Sequence, residues 1–167
     1  MLATVQIRDT TAADWTQIWP FLRRIVQTGD TYTWDTDVTE ARARELWMAP
    51  RPWRTVVAVD DDDRTVVGTA RFGPNQDGPG AHVANASFMV DPDHGGRGVG
   101  RALGEHVLAE ARADGFAAMQ FNAVVETNIG AVALWRSLGF DVIGTVPGAF
   151  RHPTAGDVGL HVMYRRL

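Results

Sequence analysis

At 167 residues, 45% of them hydrophobic, the chain has the length for one compact domain, residues 1–167, with a substantial core. A net charge of −4 without a basic stripe argues against a nucleic-acid partner, and the lack of cysteine excludes disulfides, thiol nucleophiles and thiolate metal sites together. Met1 to Thr11 has no signal-peptide pattern and no apolar run approaches membrane-spanning length, so the expectation is a soluble, cytoplasmic protein with no membrane partner.

Val5-Gln6-Ile7 reads as a first strand, and Asp9, Thr10 and Thr11 are all able to cap a following helix. Trp15, Ile18, Trp19, Leu22 and Val26 recur at helical spacing, which predicts an amphipathic helix over about 12–28, kinked at Pro20. Residues 29–38 make a polar and aromatic loop, in which Tyr32 and Trp34 either anchor the loop or wall a binding site. Asp37 and Glu40 have the spacing of a capping box at the head of a second helix that ends before Pro50. Strands over 55–59 and 65–72 flank the acidic turn 60–63 and pair as an antiparallel hairpin. Four adjacent aspartates lack the spaced ligands and final Glu of a calcium loop, so no metal is expected there. Residues 73–80 form a loop rich in Gly, Pro and Asn.

The next stretch organises the chain. An extended run, Ala84 to Val90, ends at Asp91-Pro92 and passes through Gly95-Gly96-Arg97-Gly98-Val99-Gly100 into a helical pattern marked by Val99, Leu103, Val107 and Ala111. Strand, glycine loop and helix in that order make an anion site, because the first N–H groups of a helix have no intrahelical partner and carry the positive end of its dipole. Glycine lets the backbone come close to a phosphate, and Arg97 and Arg101 add guanidinium groups beside the cradle. The loop ends Gly100-Arg101-Ala102, which lacks the Lys and hydroxyl of a P-loop, and Leu103 stands where a dinucleotide fingerprint needs glycine.

A strand follows over 117–125, its alternation placing Met119, Phe121, Ala123 and Val125 on one face and Gln120, Asn122 and Val124 on the other. Glu126 joins the Asn122 face if the extended backbone continues. A polar face in a core strand is either hydrogen-bonded to a loop or walls a site, and the second reading is favoured for Asn122. The helix beginning after Asn128 carries Ala131, Leu134 and Leu138 on one face and stops at Gly139. Strands over 142–146 and 159–164 close the sheet, with a loop between them that holds Phe150 and Arg151.

Two of these segments resemble the GCN5-related N-acetyltransferases. Gly95 to Gly100 after Val90-Asp91-Pro92 is similar to that family's acetyl-CoA pyrophosphate loop, Arg/Gln-x-x-Gly-x-Gly/Ala, with Gly95 in the usual Arg or Gln position. Asn128 to Phe140 is similar to its Asn-x-x-Ala-x-x-Leu-Tyr-x-x-x-Gly-Phe segment, with Trp135 in the usual Tyr position. The resemblance covers about 55 to the C-terminus and implies a mixed α/β, mostly antiparallel sheet of about seven strands flanked by about four helices. It implies acetyl-CoA as acetyl donor, held by Met89, Val90, Gly95, Gly96, Arg97, Gly98, Val99, Gly100, Arg101, Asn128, Ala131 and Trp135. The expected acceptor is the amine of a small molecule, faced by Tyr32, Trp34, Asn122, Phe150 and Arg151. Direct attack on the thioester calls for a proton path. Asn122, Glu126 and His82 are the catalytic candidates, with His94 beside them, because Asn85 and Ser87 are the only polar side chains on the strand before the loop. A homodimer is compatible with this reading. The competing reading is a non-catalytic acyl-CoA-binding or sensing domain.

Overall fold

The computed structural model describes residues 4–61 and 64–167, so Asp62 and Asp63 of the acidic turn lie outside the described residues. Seven strands form one sheet: β1 (Val5–Asp9), β2 (Arg54–Asp60), β3 (Val66–Pro74), β4 (Val83–Val90), β5 (Ala118–Val125), β6 (Asp141–His152) and β7 (Gly156–Arg166), in the order β1-β2-β3-β4-β5-β7-β6. Every neighbouring pair is antiparallel except β4 and β5. That one parallel step is made by a crossover through α3 (Val99–Ala113), as parallel neighbours require. The other helices are α1 (Trp15–Thr28), α2 (Glu40–Trp47) and α4 (Ile129–Ser137). The mixed sheet of seven strands and four helices agrees with the sequence reading. No helix among the described residues is long and apolar enough to cross a membrane.

Each face of the sheet has its own core. On one, Trp15, Ile18, Leu22 and Val26 of α1 and Trp47 of α2 pack on Val57, Val66 and Met89. On the other, Val99, Leu103 and Val107 of α3 and Trp135 of α4 pack on Val56, Ala70, Ala86 and Phe121. Alternation along β4 explains the split, since Met89 belongs to the first cluster and Ala84 and Ala86 to the second.

Local chemistry sets the helix ends. α1 runs unbroken through the exposed Pro20 and stops at Gly29, which adopts φ 66°. Ahead of it, Asp14 takes both prongs of the Arg8 guanidinium, each at 2.8 Å, and the Thr11 N–H at 2.7 Å. The cap of α2 is Thr39, whose hydroxyl accepts from the Arg42 N–H, and not Asp37 as the sequence spacing suggested. A second correction concerns β6 and β7. Residues 147–152 were read as loop, but the hairpin extends to His152↔Gly156, with a register shift between Val146 and Phe150 that absorbs Pro147 and Gly148.

Candidate active site

The site begins where two strands part. β4 pairs with β3 along its length, from Pro74↔Ala84 to Gly68↔Val90. Its pairing with β5 ends after Val83↔Ala118 and Ala84↔Met119. The Asp91 N–H donates to Val67 C=O and the Asn75 N–H to Val83 C=O, so odd-numbered residues of β4 turn their main-chain groups to β3. The Ala117 N–H donates to His82 C=O, so even-numbered residues face β5. By that alternation Ala86, Phe88 and Val90 present N–H and C=O groups to the gap that β5 has vacated. Buried main-chain groups need partners. One is supplied by the loop between α1 and α2, where the Tyr32 hydroxyl donates to Phe88 C=O at 2.5 Å.

Two cavities meet across this gap. One of about 340 Å³ is lined by Tyr32 and Trp34, by Asn85, Ser87 and Phe88 of β4, by Phe121 and Asn122 of β5, and by Trp135. The other, of about 660 Å³, is lined by Arg24, Asp30, Tyr32, Phe88, Met89, Val90 and Asn128. Thr31, Tyr32, Phe88 and Asn128 belong to both. The volumes suit small ligands. Tyr32 is held in place by an edge contact with Trp34, which in turn packs on Trp47. Burial pushes the Tyr32 phenol up from its ordinary pKa, against the opposing pull of the Arg71 charge.

Beyond the end of β4 lies the glycine loop. Gly96 and Gly98 adopt φ 73° and 85°, in the left-handed region that side chains resist, and Gly98 caps α3. The first α-helical bond joins the Ala102 N–H to Gly98 C=O at 3.0 Å, so the preceding N–H groups of Val99, Gly100 and Arg101 have no intrahelical acceptor. Arg24 of α1 steadies the approach to this loop by gripping Asp93 at 2.8 and 3.0 Å. Arg97 lies 3.5 Å from the buried Asp60 carboxylate, while Arg101 donates to Ser137 and lies 3.6 Å from Glu105. A backbone cradle flanked by two arginines therefore opens at one end of the larger cavity's strand, β4.

The sequence candidates divide. Tyr32, Trp34, Asn122, Asn128, Ala131 and Trp135 all line the smaller cavity, and Met89 and Val90 the larger. Trp135 is 8% exposed, with its ring 4.6 Å from Phe88 and 4.9 Å from Phe121. Asn128 caps α4 by accepting the Ala131 N–H. Five other residues stand elsewhere. His82 is exposed at the opposite end of β4, and His94 is taken up by Asp91 at 3.2 Å. The Glu126 carboxylate accepts the Gly159 N–H at 2.6 Å, closing the end of β5 onto β7, and does not line either cavity. Phe150 is buried against Val125 and Val158, and Arg151 points to solvent beside Asp157.

The reason lies in β5. Phe121 stands opposite Met163 and Val124 opposite His161, so Asn122 and Ala123 together face a single position of β7. This bulge resets the alternation: Val124 joins the main core and Val125 turns to the Phe150 cluster, opposite to the strict two-residue reading. It leaves Asn122 exposed to the cavity, donating to Asn75 at 2.7 Å and accepting from Gln120 at 2.9 Å. Sequence reasoning missed Asn75, and also Arg71, which sits opposite Ser87 in the β3–β4 register. Arg71 lies over the Trp53 ring at 4.1 Å and donates to Leu46 C=O, and its Nε has no partner among the described residues. Burial lowers its pKa, with no carboxylate paired to it among the described residues. A lone arginine in the apolar run Val66 to Phe72 was the available signal.

Comparison with known proteins agrees with this geometry. A GCN5-related N-acetyltransferase from Kribbella flavida is 59% identical, with 98% of each chain covered and a TM-score of 0.94. The L-amino acid N-acyltransferase MnaT of Escherichia coli (strain K12) is 32% identical over 116 residues, 68% of this chain and 67% of that protein. The structure of yncA from Salmonella typhimurium with its cofactor acetyl-CoA is 27% identical, covering 99% of this chain and 95% of that one at a TM-score of 0.78. Residues 15–140 match the model of the Acetyltransferase (GNAT) family. The chain belongs to that family and is an acetyltransferase.

Proposed function

We propose that the protein moves an acetyl group from acetyl-CoA to the primary amine of a small, amino-acid-like molecule by direct attack. The observation that carries this reading is the pair of cavities that meet at Tyr32 and Phe88 along the open edge of β4. Two reactants that enter from opposite sides reach each other there, and holding them so supplies much of the rate of a bimolecular step.

The N-terminus of α3, with Gly96, Gly98 and Gly100 and the flanking Arg97 and Arg101, suits the CoA phosphates. Gly95 contributes backbone alone, and Val99 anchors the helix start in the core. The pantetheine arm carries amides, and the gap-edge groups of Phe88 and Val90 offer them the partners that a neighbouring strand would. Asn128, Ala131 and Trp135 close the other wall. The smaller cavity then receives the acceptor against Tyr32, Trp34, Ser87 and Asn122. Of the catalytic candidates, Asn122 lines the smaller cavity, whereas Glu126 and His82 line neither. The amino-acid-like character is supported by the relative named for acting on L-amino acids.

The test is a thiol-release screen with acetyl-CoA against amino acids, amino-acid amides, polyamines and aminoglycosides. Amine-dependent release of CoA with an amino-acid-like acceptor is expected. Binding of acetyl-CoA with no turnover on any amine would overturn the proposal.

A further inference from the structure

The first turn of α3 carries a charge that does not suit its own helix. Val99, Gly100 and Arg101 make that turn, no acidic residue stands in it, and the positive end of the helix dipole disfavours a cation there. The Arg101–Glu105 pair at 3.6 Å offsets little of this. Both side chains are about half exposed, and a cation placed N-terminal to its anion runs against the dipole. Arg97, the other guanidinium at the cradle, has the buried Asp60 carboxylate beside it at 3.5 Å. Arg101 therefore needs a reason that its own helix does not supply.

That reason lies at the seam between α3 and α4. Gly100 and Gly104 are one turn apart on α3, and a Cβ added to them would stand 3.4 Å from Leu134 and 2.7 Å from Leu138. Leu134 and Leu138 are one turn apart as well, so the two helices lie side by side and run the same way at this contact. Across the seam, Arg101 Nη2 donates to the Ser137 hydroxyl at 2.7 Å, and that hydroxyl donates its own proton to Leu134 C=O at 2.6 Å. With its proton committed, the Ser137 oxygen has only lone pairs to offer, which suits it to hold a guanidinium. Because Ser137 is neutral, it fixes Arg101 without cancelling its charge, and most of the N–H donors stay open to a ligand.

We infer that Ser137 is a positioning residue, holding Arg101 across the α3–α4 seam for the 3′-phosphate of CoA, and that the pair lets the enzyme distinguish CoA thioesters from donors without that phosphate. This rests on the assignment of the α3 cradle to the CoA phosphates given above. The unpaired N–H groups of Val99, Gly100 and Arg101 suit the diphosphate at the mouth of the helix. Ser137 and Glu105, the groups around the guanidinium, belong one helical turn, about 5 Å, back from that mouth. A guanidinium fixed there meets a phosphate that stands off from the diphosphate. CoA has one such group, set apart by the width of its ribose. An anion bound at that point also relieves the misfit between Arg101 and the dipole of α3.

The experiment measures Kd by calorimetry for CoA and for 3′-dephospho-CoA in the wild type, Ser137→Ala, Ser137→Thr, Arg101→Ala and the Ser137→Ala/Arg101→Ala double variant. Ser137 is exposed on the last turn of α4, alanine suits a helix, and Leu134 C=O keeps the Leu138 N–H at 3.1 Å, so Ser137→Ala should stay folded. Arg101→Ala should weaken CoA about tenfold or more, through the loss of a charge-assisted bond to phosphate. Ser137→Ala should weaken it about two- to tenfold, because a freed arginine must be ordered on binding. Ser137→Thr keeps the hydroxyl and should bind CoA as the wild type does. Neither alanine variant should change 3′-dephospho-CoA by more than about twofold, and Ser137→Ala should add nothing once Arg101 is gone. Loss of structure would weaken both ligands alike and would not depend on Arg101. Equal losses for the two ligands, a Ser137→Ala effect that persists without Arg101, or CoA affinity unchanged or tightened in Ser137→Ala overturns the inference and leaves the cradle assignment standing. Failure of the wild type to bind CoA overturns the acetyl-CoA reading itself, and this inference with it.

Discussion

Placing a carboxylate at Gly98 separates the cradle's ligand role from its structural one. Gly98 adopts φ 85° and caps α3, immediately before the three N–H groups that the helix itself leaves unpaired. An ordinary side chain in that conformation costs about 1–2 kcal/mol. Aspartate tolerates it better than most and is favourable beside a helix N-terminus by roughly 0.3–1 kcal/mol, so Gly98→Asp should leave the free protein within about 1 kcal/mol of wild type. Binding is another matter. A carboxylate about 4 Å from one phosphate charge repels it by about 1–4 kcal/mol between bulk water and a protein surface, and it also competes for the same N–H groups. At acetyl-CoA one hundred times its Kd, the wild type gains about 2.7 kcal/mol, which for a domain of this length is a rise in Tm of about 5–11 °C. Thermal melts with and without acetyl-CoA should show that rise nearly abolished in Gly98→Asp at unchanged starting Tm. Gly98→Ala, which carries the strain without the charge, should lose starting stability and keep more of the rise. A wild-type response in Gly98→Asp would refute the assignment of this loop to the phosphates.

Three further outcomes follow from named contacts. Asn122→Ala removes a cavity wall and its bonds to Asn75 and Gln120, and kinetics should show acceptor kcat/KM reduced by about 1–3 kcal/mol of barrier with acetyl-CoA affinity little changed; wild-type turnover would return Asn122 to a structural role. Trp135→Phe keeps an aromatic surface against Phe88 and Phe121 and should hold kcat within about tenfold, whereas Trp135→Ala should destabilise by about 3–5 kcal/mol; a hundredfold loss of kcat in Trp135→Phe would mean the indole N–H acts in the transition state. The Arg8 guanidinium holds Asp14 down to about 2 from 3.8, so its stabilisation is fully present above pH 4 and is lost as pH falls through 2. With Arg8 41% exposed and screened, Asp14→Asn should cost about 1 kcal/mol at pH 7 in denaturant melts, a gap that closes toward pH 2; a gap constant with pH would rule out the ion pair as its source.

Local pattern made much of this protein legible, and long-range pairing made the rest illegible. The apolar spacing of Trp15, Ile18, Leu22 and Val26 reports a helix because the period is set within the segment itself. The glycine loop was readable for the same reason, since left-handed backbone at Gly96 and Gly98 is demanded locally. The position of Glu126 away from both cavities was not legible, because the bulge at Asn122 and Ala123 depends on what β7 presents across the sheet, and no two-residue alternation contains that information. Phe150 and Arg151 were placed in a loop because Pro147 and Gly148 look like breakers, yet an edge strand tolerates both. Asn75 is distant from Asn122 in sequence, and only the fold brings their amides together.

The parting of β4 from β5 deserves a physical reason, since a sheet ordinarily gains by pairing every edge. The main-chain groups left open at Ala86, Phe88 and Val90 carry a desolvation penalty unless something bonds them. The fold can bear this because β4 is fixed on every other side. Its far edge pairs with β3 from Ala84 to Val90, Met89 is buried under α1, and Ala84 and Ala86 are buried under the other face. A strand held so firmly does not collapse toward β5, so its open edge keeps its spacing. That rigidity is what an extended, amide-bearing ligand needs, because a partner edge already in place spares the ordering cost of building one. The Tyr32 bond to Phe88 C=O follows the same logic on the acceptor side. It satisfies one orphan carbonyl, and in doing so it fixes a lone-pair donor where the two cavities meet.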